Sequence, residues 1–465
     1  MIIRKFFTPG LAITSYIIYD EDSLEGAVID PTRHTEQYLR CIQQENVNIT
    51  HILETHVHAD FASGAQELKA ALKDKPKIVC SSMGGQSWSP HYADQLVNDR
   101  DEIMLGSTRL QAWHTPGHTP EHIIWVVYDD RRDPHIPALA FTGDLLFVGS
   151  IGRPDLLGEE IQKKLANQLY DTIFHTLPKL PDFIEIYPSH GAGSLCGKGI
   201  GARQSSTLGY ERKCNQWLQP LPFEEWKEKL LKEMPAAPAY FKTMKQINVT
   251  GIDMSSLQQE LPPLLTLDQT LKLMATCQII DVRDPFVFAA GHLKNAINIP
   301  LSASFVTWAG AVLSPDKELI IVVGDTPEAL FVIQSLKVIG INTIKGICNV
   351  STHHNMQEWL EIQHATPMLS VDEVVAKKNE VHMLDVRTPS EWHSGHIQEA
   401  HHIEMALINS SFDLLPKNAP IAVFCHSGTR ASIIASLLKS HGFFASVVRG
   451  GMQEWLKKGL PSVSG

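Results

Sequence analysis

The sequence contains no run of about 18 apolar residues, so no segment reads as a membrane-spanning helix. It also lacks positive charge. Lys and Arg number 40 against 51 Asp and Glu, and the net charge of -11 disfavours nucleic acid and anionic membrane as partners. Cysteine is sparse: seven residues lie scattered from Cys41 to Cys425, with no CxxC pair. That spacing excludes a disulfide framework and a thiolate zinc knuckle, and it points to a reducing, cytoplasmic location. A secretory leader is not expected either. In the opening stretch basic residues precede apolar ones, but Pro9, Gly10, Thr14 and Ser15 interrupt them and no small-residue cleavage site precedes DEDSLE (20–25). Two strands, AITSYIIYD (12–20) and EGAVIDP (25–31), are expected there instead.

What is abundant is histidine, with 22 residues, several of them in short motifs. At 465 residues the chain is too long for one core and suits about three domains of ~100–250 residues. Its composition, 43% hydrophobic and 20% charged, is that of an ordinary soluble protein. The last 200 or so residues repeat themselves. IIDVRDPFVFAAGHLKNAINIP (279–300) returns as MLDVRTPSEWHSGHIQEAHHIE (383–404), and NMQEWL (355–360) returns as GMQEWL (451–456). In both copies the Asp of DVR stands eleven residues before the His of a GH pair, from Asp281 to His292 and from Asp385 to His396. Each copy alternates apolar strands (ELIIVVG, PIAVFC) with amphipathic stretches (EALFVIQSLKVIG, ASIIASLLKSHG), the pattern of a parallel sheet flanked by helices. Upstream, short strands are separated by turns and by helices such as GAQELKAALKDK. A Pro-rich stretch, MPAAPAYFKTMKQINVTG, then LQQELPPLLTL, reads as a linker. The expected division is a domain over 1–232, a linker over 233–262, and two related domains over 263–364 and 365–465.

Four clusters in the first 200 residues carry imidazole and carboxylate: THVHAD, TPGHTPEH, FTGDLL and YPSHGAG. Each follows a β-prone stretch, so loops at one sheet edge can bring them together around zinc or iron. Together they resemble the metallo-β-lactamase fold, an αββα sandwich, at His56, His58, Asp60, His118, Asp144 and His190. Dinuclear hydrolases of that fold, such as glyoxalase II, close HxHxDH with a histidine that helps bind the second metal; here Phe61 stands in its place. A benzyl group cannot coordinate, so one metal with open positions is expected. That arrangement is similar to the persulfide dioxygenases. The resemblance implies one iron(II) per chain held by His56, His118 and Asp144, with His58, Asp60 and His190 orienting ligands and water. It also implies that Arg153, nine residues after Asp144, binds the anionic end of a thiol carrier. The tyrosine that glutathione-persulfide enzymes place after the PSH histidine is missing from HGAGSLCGKG, where Cys196 is instead a thiol relay or a small buried residue.

The second half offers VFCHSGTR (423–430). A strand delivers Cys425 into a tight loop whose backbone N–H groups, those of Ser427 and Gly428 included, face the sulfur, with Arg430 before the next helix. With DVR...GH and RGGMQEW this resembles a rhodanese domain; the loop is one residue shorter than the Cys-x5-Arg phosphate loop, which favours sulfane sulfur over phosphate. In the earlier copy Val323 or Gly324 stands opposite Cys425, so that copy is expected to be catalytically silent. The expected fold class is therefore α/β: an N-terminal αββα metallo-β-lactamase sandwich followed by two tandem rhodanese domains with parallel sheets. The whole order resembles bacterial fusions of persulfide dioxygenase with tandem rhodaneses. It implies oxidation of a low-molecular-weight thiol persulfide by dioxygen to sulfite, transfer of sulfane sulfur by Cys425 to give thiosulfate, and a homo-oligomer without nucleic-acid or membrane partners. Two rivals stand beside it: a dinuclear zinc thioester hydrolase, and a non-enzymatic sulfur carrier with a vestigial metal site.

Overall fold

The computed structural model describes residues 1–156, 158–232, 234–254, 261–352 and 363–464. The NMQEWL motif at 355–360 lies outside them, as do positions 233 and 255–260 of the expected linker. The chain forms two compact units. The first holds Met1–Met234, Tyr240–Gln258 and Lys337–Gly340; the second holds Pro235–Ala239, Gln259–Leu336 and Ile341–Gly465.

The first unit is built on two six-stranded sheets. One runs in chain order: Ile2–Thr8, Ile13–Tyr19, Glu25–Ile29, Asn48–Leu53, Lys77–Ser81 and Gln95–Val97. Its first three strands pair antiparallel and the rest parallel, so helices Thr35–Glu45 and Ala65–Ala71 serve as crossovers. The other sheet has the spatial order Ser206–Thr207, Glu185–Pro188, Pro137–Gly143, Ile123–Asp129, Thr108–His114, Glu102–Leu105. The strand period of two decides the layers. Tyr16, Ile18, Ile123, Trp125 and Val127 fill the core between the sheets. Their alternates on the first sheet, Ile17 and Tyr19, pack outward with Tyr38 and Leu68 of the helices, and those on the second, Ile124 and Val126, with Leu169, Trp217 and Trp226. This is the expected αββα sandwich. Both expected N-terminal strands are present, as Ile13–Tyr19 and Glu25–Ile29.

The stretch read as a linker contains a helix, Tyr240–Thr250, that belongs to the first unit. Tyr240, Phe241, Met244 and Asn248 form its buried stripe, a helical spacing that the neighbouring prolines conceal in the sequence.

The second unit holds two all-parallel sheets. One runs Ile297–Asn298, Gln278–Asp281, Leu319–Val323, Ile344–Asn349; the other runs Met368–Leu369, Ala445–Val448, Ile421–Phe424, His382–Asp385, His401–His402. The repeated DVR...GH spacing has a concrete cause. Arg387 clasps Asp385 and donates to the Gly395 carbonyl at 2.8 Å, while Arg283 clasps Asp281 and donates to the Gly291 carbonyl at 2.9 Å. Register then aligns the copies: Asp385 pairs with Phe424 and Asp281 with Val322, so Val323, not Gly324, occupies the place of Cys425. The two copies also touch. Asn298 of the first donates its backbone N–H to Ser436 Oγ (2.9 Å) and accepts from Ser432 Oγ (2.8 Å), both on helix Thr429–Ser440 that follows the Cys425 loop. Among the described residues, no helix is long and apolar enough to cross a membrane.

Candidate functional site

All four histidine and aspartate clusters follow strand ends on one side of the sandwich, after Asn48–Leu53, Thr108–His114, Pro137–Gly143 and Glu185–Pro188. Backbone bonds lace these loops together: Ile123 N–H to Thr55 O at 2.9 Å and Ser189 N–H to Gly143 O at 3.1 Å. Two glycines are required by close approach. At Gly143, with φ +51°, a Cβ would stand 2.6 Å from His122 Nε2; at Gly152 it would stand 1.8 Å from the Asp144 carbonyl oxygen.

His56, His118 and Asp144 converge, with one donor atom from each inside a 4.8 Å span. His118 Nε2 is 3.4 Å from Asp144 Oδ2, and His56 Nε2 is 3.9 Å from it. The other ring nitrogens are spoken for. His118 Nδ1 donates to the Arg153 carbonyl at 2.9 Å. Thr55 Oγ1 gives its proton to Asp30 (2.8 Å) and therefore accepts from His56 Nδ1 (2.9 Å). Both Nε2 lone pairs thus face the Asp144 carboxylate. Among the described residues, those nitrogens and both Asp144 oxygens are buried without a hydrogen-bond partner, an arrangement that a cation would satisfy. Burial keeps the imidazoles neutral, with His118 lowered to about 4, and raises the Asp144 carboxyl to about 6. Two imidazoles and one carboxylate suit a divalent transition metal.

His58 does not join them. Its Nε2 lies 3.2 Å from Asp30 Oδ1 and 3.2 Å from Glu54 Oε2. Burial alone would lower its pKa, but the two carboxylates win and hold it well above the ordinary value. His58, Asp30 and Glu54 offer donor atoms within 4.8 Å of one another, a group of their own apart from the His56 set. Phe61, fully buried, covers this imidazole with ring centroids 4.2 Å apart. His122 is also excluded as a ligand, because its Nε2 accepts the Asp144 backbone N–H at 3.0 Å.

A second donor group adjoins the first. Asp60, His190 and Cys196 offer atoms within 4.8 Å of one another, and His190 Nε2 is 3.4 Å from Asp60 Oδ2 and 3.5 Å from Asp144 Oδ1. Burial, with Asp60 and Asp144 nearby, pushes the Cys196 thiol well up, so it is a neutral S–H in the metal-free chain. Arg153 differs from its expected role as a free anion anchor. It is almost fully buried, and Asp155 takes its Nε at 2.6 Å and Nη2 at 2.7 Å while its Nη1 donates to the Leu195 carbonyl. Residue types alone did not single out Asp30, Glu54, Thr55, His122, Asn248 or Tyr240. Asn248 donates to the His58 and Phe61 carbonyls at 2.7 Å each and accepts from Ser63 N–H at 2.8 Å, fastening its helix to the metal loop. Tyr240 presents a buried hydroxyl with no partner among the described residues, within electrostatic range of Asp60 and Cys196. A buried stripe with one amide and one phenol was the available signal.

In the second unit, Cys425 is buried and its Sγ accepts the Gly428 N–H at 3.0 Å, made possible by Gly428 at φ +114°. Gly451 is pressed against the loop: a Cβ there would meet the Cys425 carbonyl oxygen at 2.1 Å. Ser427 is exposed at the loop tip. Arg430 makes two 2.7 Å bonds to Glu391, which holds this carboxyl at about 2 although burial opposes its charge. In the first copy the amides of Gly324 and Asp325, which follow Val323, donate to the Glu328 carboxylate at 3.0 and 3.2 Å, so the loop carries its own anion.

The profile of the metallo-beta-lactamase superfamily matches residues 8–189, and that of the rhodanese-like domain matches 266–350 and 370–458. A mitochondrial persulfide dioxygenase, ETHE1 of Homo sapiens, is 29% identical over 191 residues, covering 41% of this chain and 68% of that protein. A cytoplasmic hydroxyacylglutathione hydrolase of Arabidopsis thaliana is 30% identical over 177 residues, covering 38% of this chain and 62% of that one. The crystal structure of a metallo-beta-lactamase from Staphylococcus aureus subsp. aureus COL aligns with a TM-score of 0.67 and 33% identity over 75% of this chain and 99% of that chain. The chain belongs to the metallo-beta-lactamase superfamily: it is an enzyme of the metallo-hydrolase type with persulfide dioxygenase homologues, carrying two rhodanese-like domains behind its metal domain.

Proposed function

We propose that the metal domain binds one iron(II) through His56, His118 and Asp144 and oxidises a low-molecular-weight thiol persulfide. The balance is one persulfide, one dioxygen and one water giving one thiol, one sulfite and two protons. The observation that carries this reading is the diversion of His58 to Asp30 and Glu54, which leaves a two-histidine, one-carboxylate set with orphaned donors. Iron(II) bound there would supply sites for both the sulfur and dioxygen. The chain's own residues hold the geometry: Thr55 and the Arg153 carbonyl fix the imidazoles, and His122 fixes Asp144 through its backbone.

Cys425 then takes a sulfane sulfur from a further persulfide. The S–S bond of the donor breaks, its thiol leaves, and a Cys425 persulfide forms. Sulfite attacks the outer sulfur, giving thiosulfate and restoring the thiolate. Burial of Cys425 and its Gly428 N–H bond support a guarded sulfur of this kind. With all seven cysteines free, we infer a reducing, cytoplasmic setting.

A second reading has its own support, since Asp60, His190 and Cys196 could hold a second metal, as in a zinc thioester hydrolase of the hydroxyacylglutathione type. Metal analysis with oxygen uptake separates the two. One iron per chain and persulfide-dependent oxygen consumption are expected; two zinc ions with thioester cleavage would sink the proposal.

A further inference from the structure

Beside the metal loops lies a pocket of about 380 Å³, lined by Val57, Ala59 and Thr119 together with Trp88, Leu156, Ile161 and Phe241. Val57 and Ala59 alternate with His56, His58 and Asp60, and Thr119 follows His118, so the pocket borders the loops that carry the metal donors. A volume of this size suits a small molecule. Its polar lining includes Lys242 and Lys245, one turn apart on helix Tyr240–Thr250. Asn248, on the same helix, ties it to the metal loop by three hydrogen bonds.

Neither ammonium group has an ion pair or hydrogen bond among the described residues; Lys242 is exposed and Lys245 partly buried. Lys245 is half-buried, with its Nζ 3.7 Å above the Trp88 ring, and burial lowers its pKa. Two ammonium groups on one pocket wall favour an anionic guest, and the carboxyl that acts on Lys245, Glu121, makes no ion pair with it. Arg153 cannot take that role while Asp155 neutralises it.

We infer that this pocket seats the carrier half of the persulfide, and that the carrier is a thiol with an apolar stem and an anionic far end held by Lys242 and Lys245. The inference rests on the persulfide reading of the metal centre. Phosphate and carboxylate share the required chemistry, so the test includes both.

Steady-state oxygen uptake would be measured with persulfides of coenzyme A (phosphate), glutathione (carboxylate), 2-mercaptoethanol (neutral) and cysteamine (cationic). The wild type should favour an anionic carrier over the neutral one in kcat/KM. In the Lys242→Ala/Lys245→Ala double variant that preference should shrink about tenfold or more, with the change in KM. Lys245→Glu should turn the preference toward cysteamine, an outcome that misfolding cannot mimic. Calorimetric binding of the S-methylated thiols tests the pocket without turnover. If no persulfide consumes oxygen, the dioxygenase reading fails, while charge-ordered binding that the lysine variants lose would still uphold the pocket. An unaltered charge preference in both variants, in turnover and in binding, would overturn the inference. A larger loss with the phosphate or the carboxylate carrier identifies which anion is seated.

Discussion

Consider Glu391→Gln. Glu391 accepts two 2.7 Å bonds from Arg430 and also completes the cap of helix Pro389–Ser394 by accepting from Thr388 N–H at 3.0 Å and Thr388 Oγ1 at 2.9 Å. Glutamine at this position can keep the cap but loses the charge. The carboxyl falls from an ordinary 4.5 to about 2, which corresponds to about 3 kcal/mol. Its side chain is 31% exposed, so solvent screening reduces this to about 1–2 kcal/mol. The sign follows from the direction. A depressed carboxyl stabilises the fold above pH 4.5, and that stability is lost as pH falls toward about 2. The variant should therefore be less stable than the wild type at pH 7, and the gap should close on acidification. A second consequence concerns chemistry. Arg430, released from its partner, keeps its charge beside Cys425, so iodoacetamide should alkylate Cys425 faster at neutral pH. Urea midpoints across pH 2–7 and alkylation rates test both. Equal midpoints at pH 7 together with equal alkylation rates would refute the reasoning.

Cys425→Ser should abolish thiocyanate formation from thiosulfate and cyanide, while persulfide-dependent oxygen uptake continues and sulfite accumulates. Thiosulfate formed at the wild-type rate would make the loop a binding site only. Asn298→Ala takes the partner from Ser432 Oγ and from the Arg283 carbonyl, leaves the Asp281 carbonyl with the Ile299 N–H alone, and should lower stability by about 1–3 kcal/mol in denaturant titrations. Metal affinity should be level above about pH 6 and weaken below it. Binding needs the Asp144 carboxylate, which burial in the metal-free chain raises to about 6, whereas His118 stays neutral down to about 4. Apparent Kd from competition with a chelator at pH 4–8 checks this; affinity level down to about pH 4 would show that Asp144 takes no proton.

Much of the site was legible because its chemistry is carried by residue type and spacing. His56, His118 and Asp144 meet as the motifs imply, and the DVR...GH spacing corresponds to a single arginine bridging strand and loop. What escaped depends on partners. The partners of His58 are Asp30, 28 residues upstream, and nearby Glu54. Arg153 reads as an anion-binding group until Asp155 is seen to occupy it. The helix Tyr240–Thr250 was hidden by the prolines before it, since composition outweighed a four-residue buried stripe. The place of Val323 opposite Cys425 needed strand register, which loop letters alone could not provide.

The contact between Asn298 and the serines of helix Thr429–Ser440 bears on how a duplicated domain survives the loss of its nucleophile. From Ala431 to Leu438 every residue of that helix is buried, including Ser432 and Ser436, so it has no face suited to water. A chain cut back to residues 365–465 would retain the whole thiol loop but bare one side of the helix that supports it. With Val323 at the cysteine's place and Glu328 filling its own loop, what the first copy offers its neighbour is a wall.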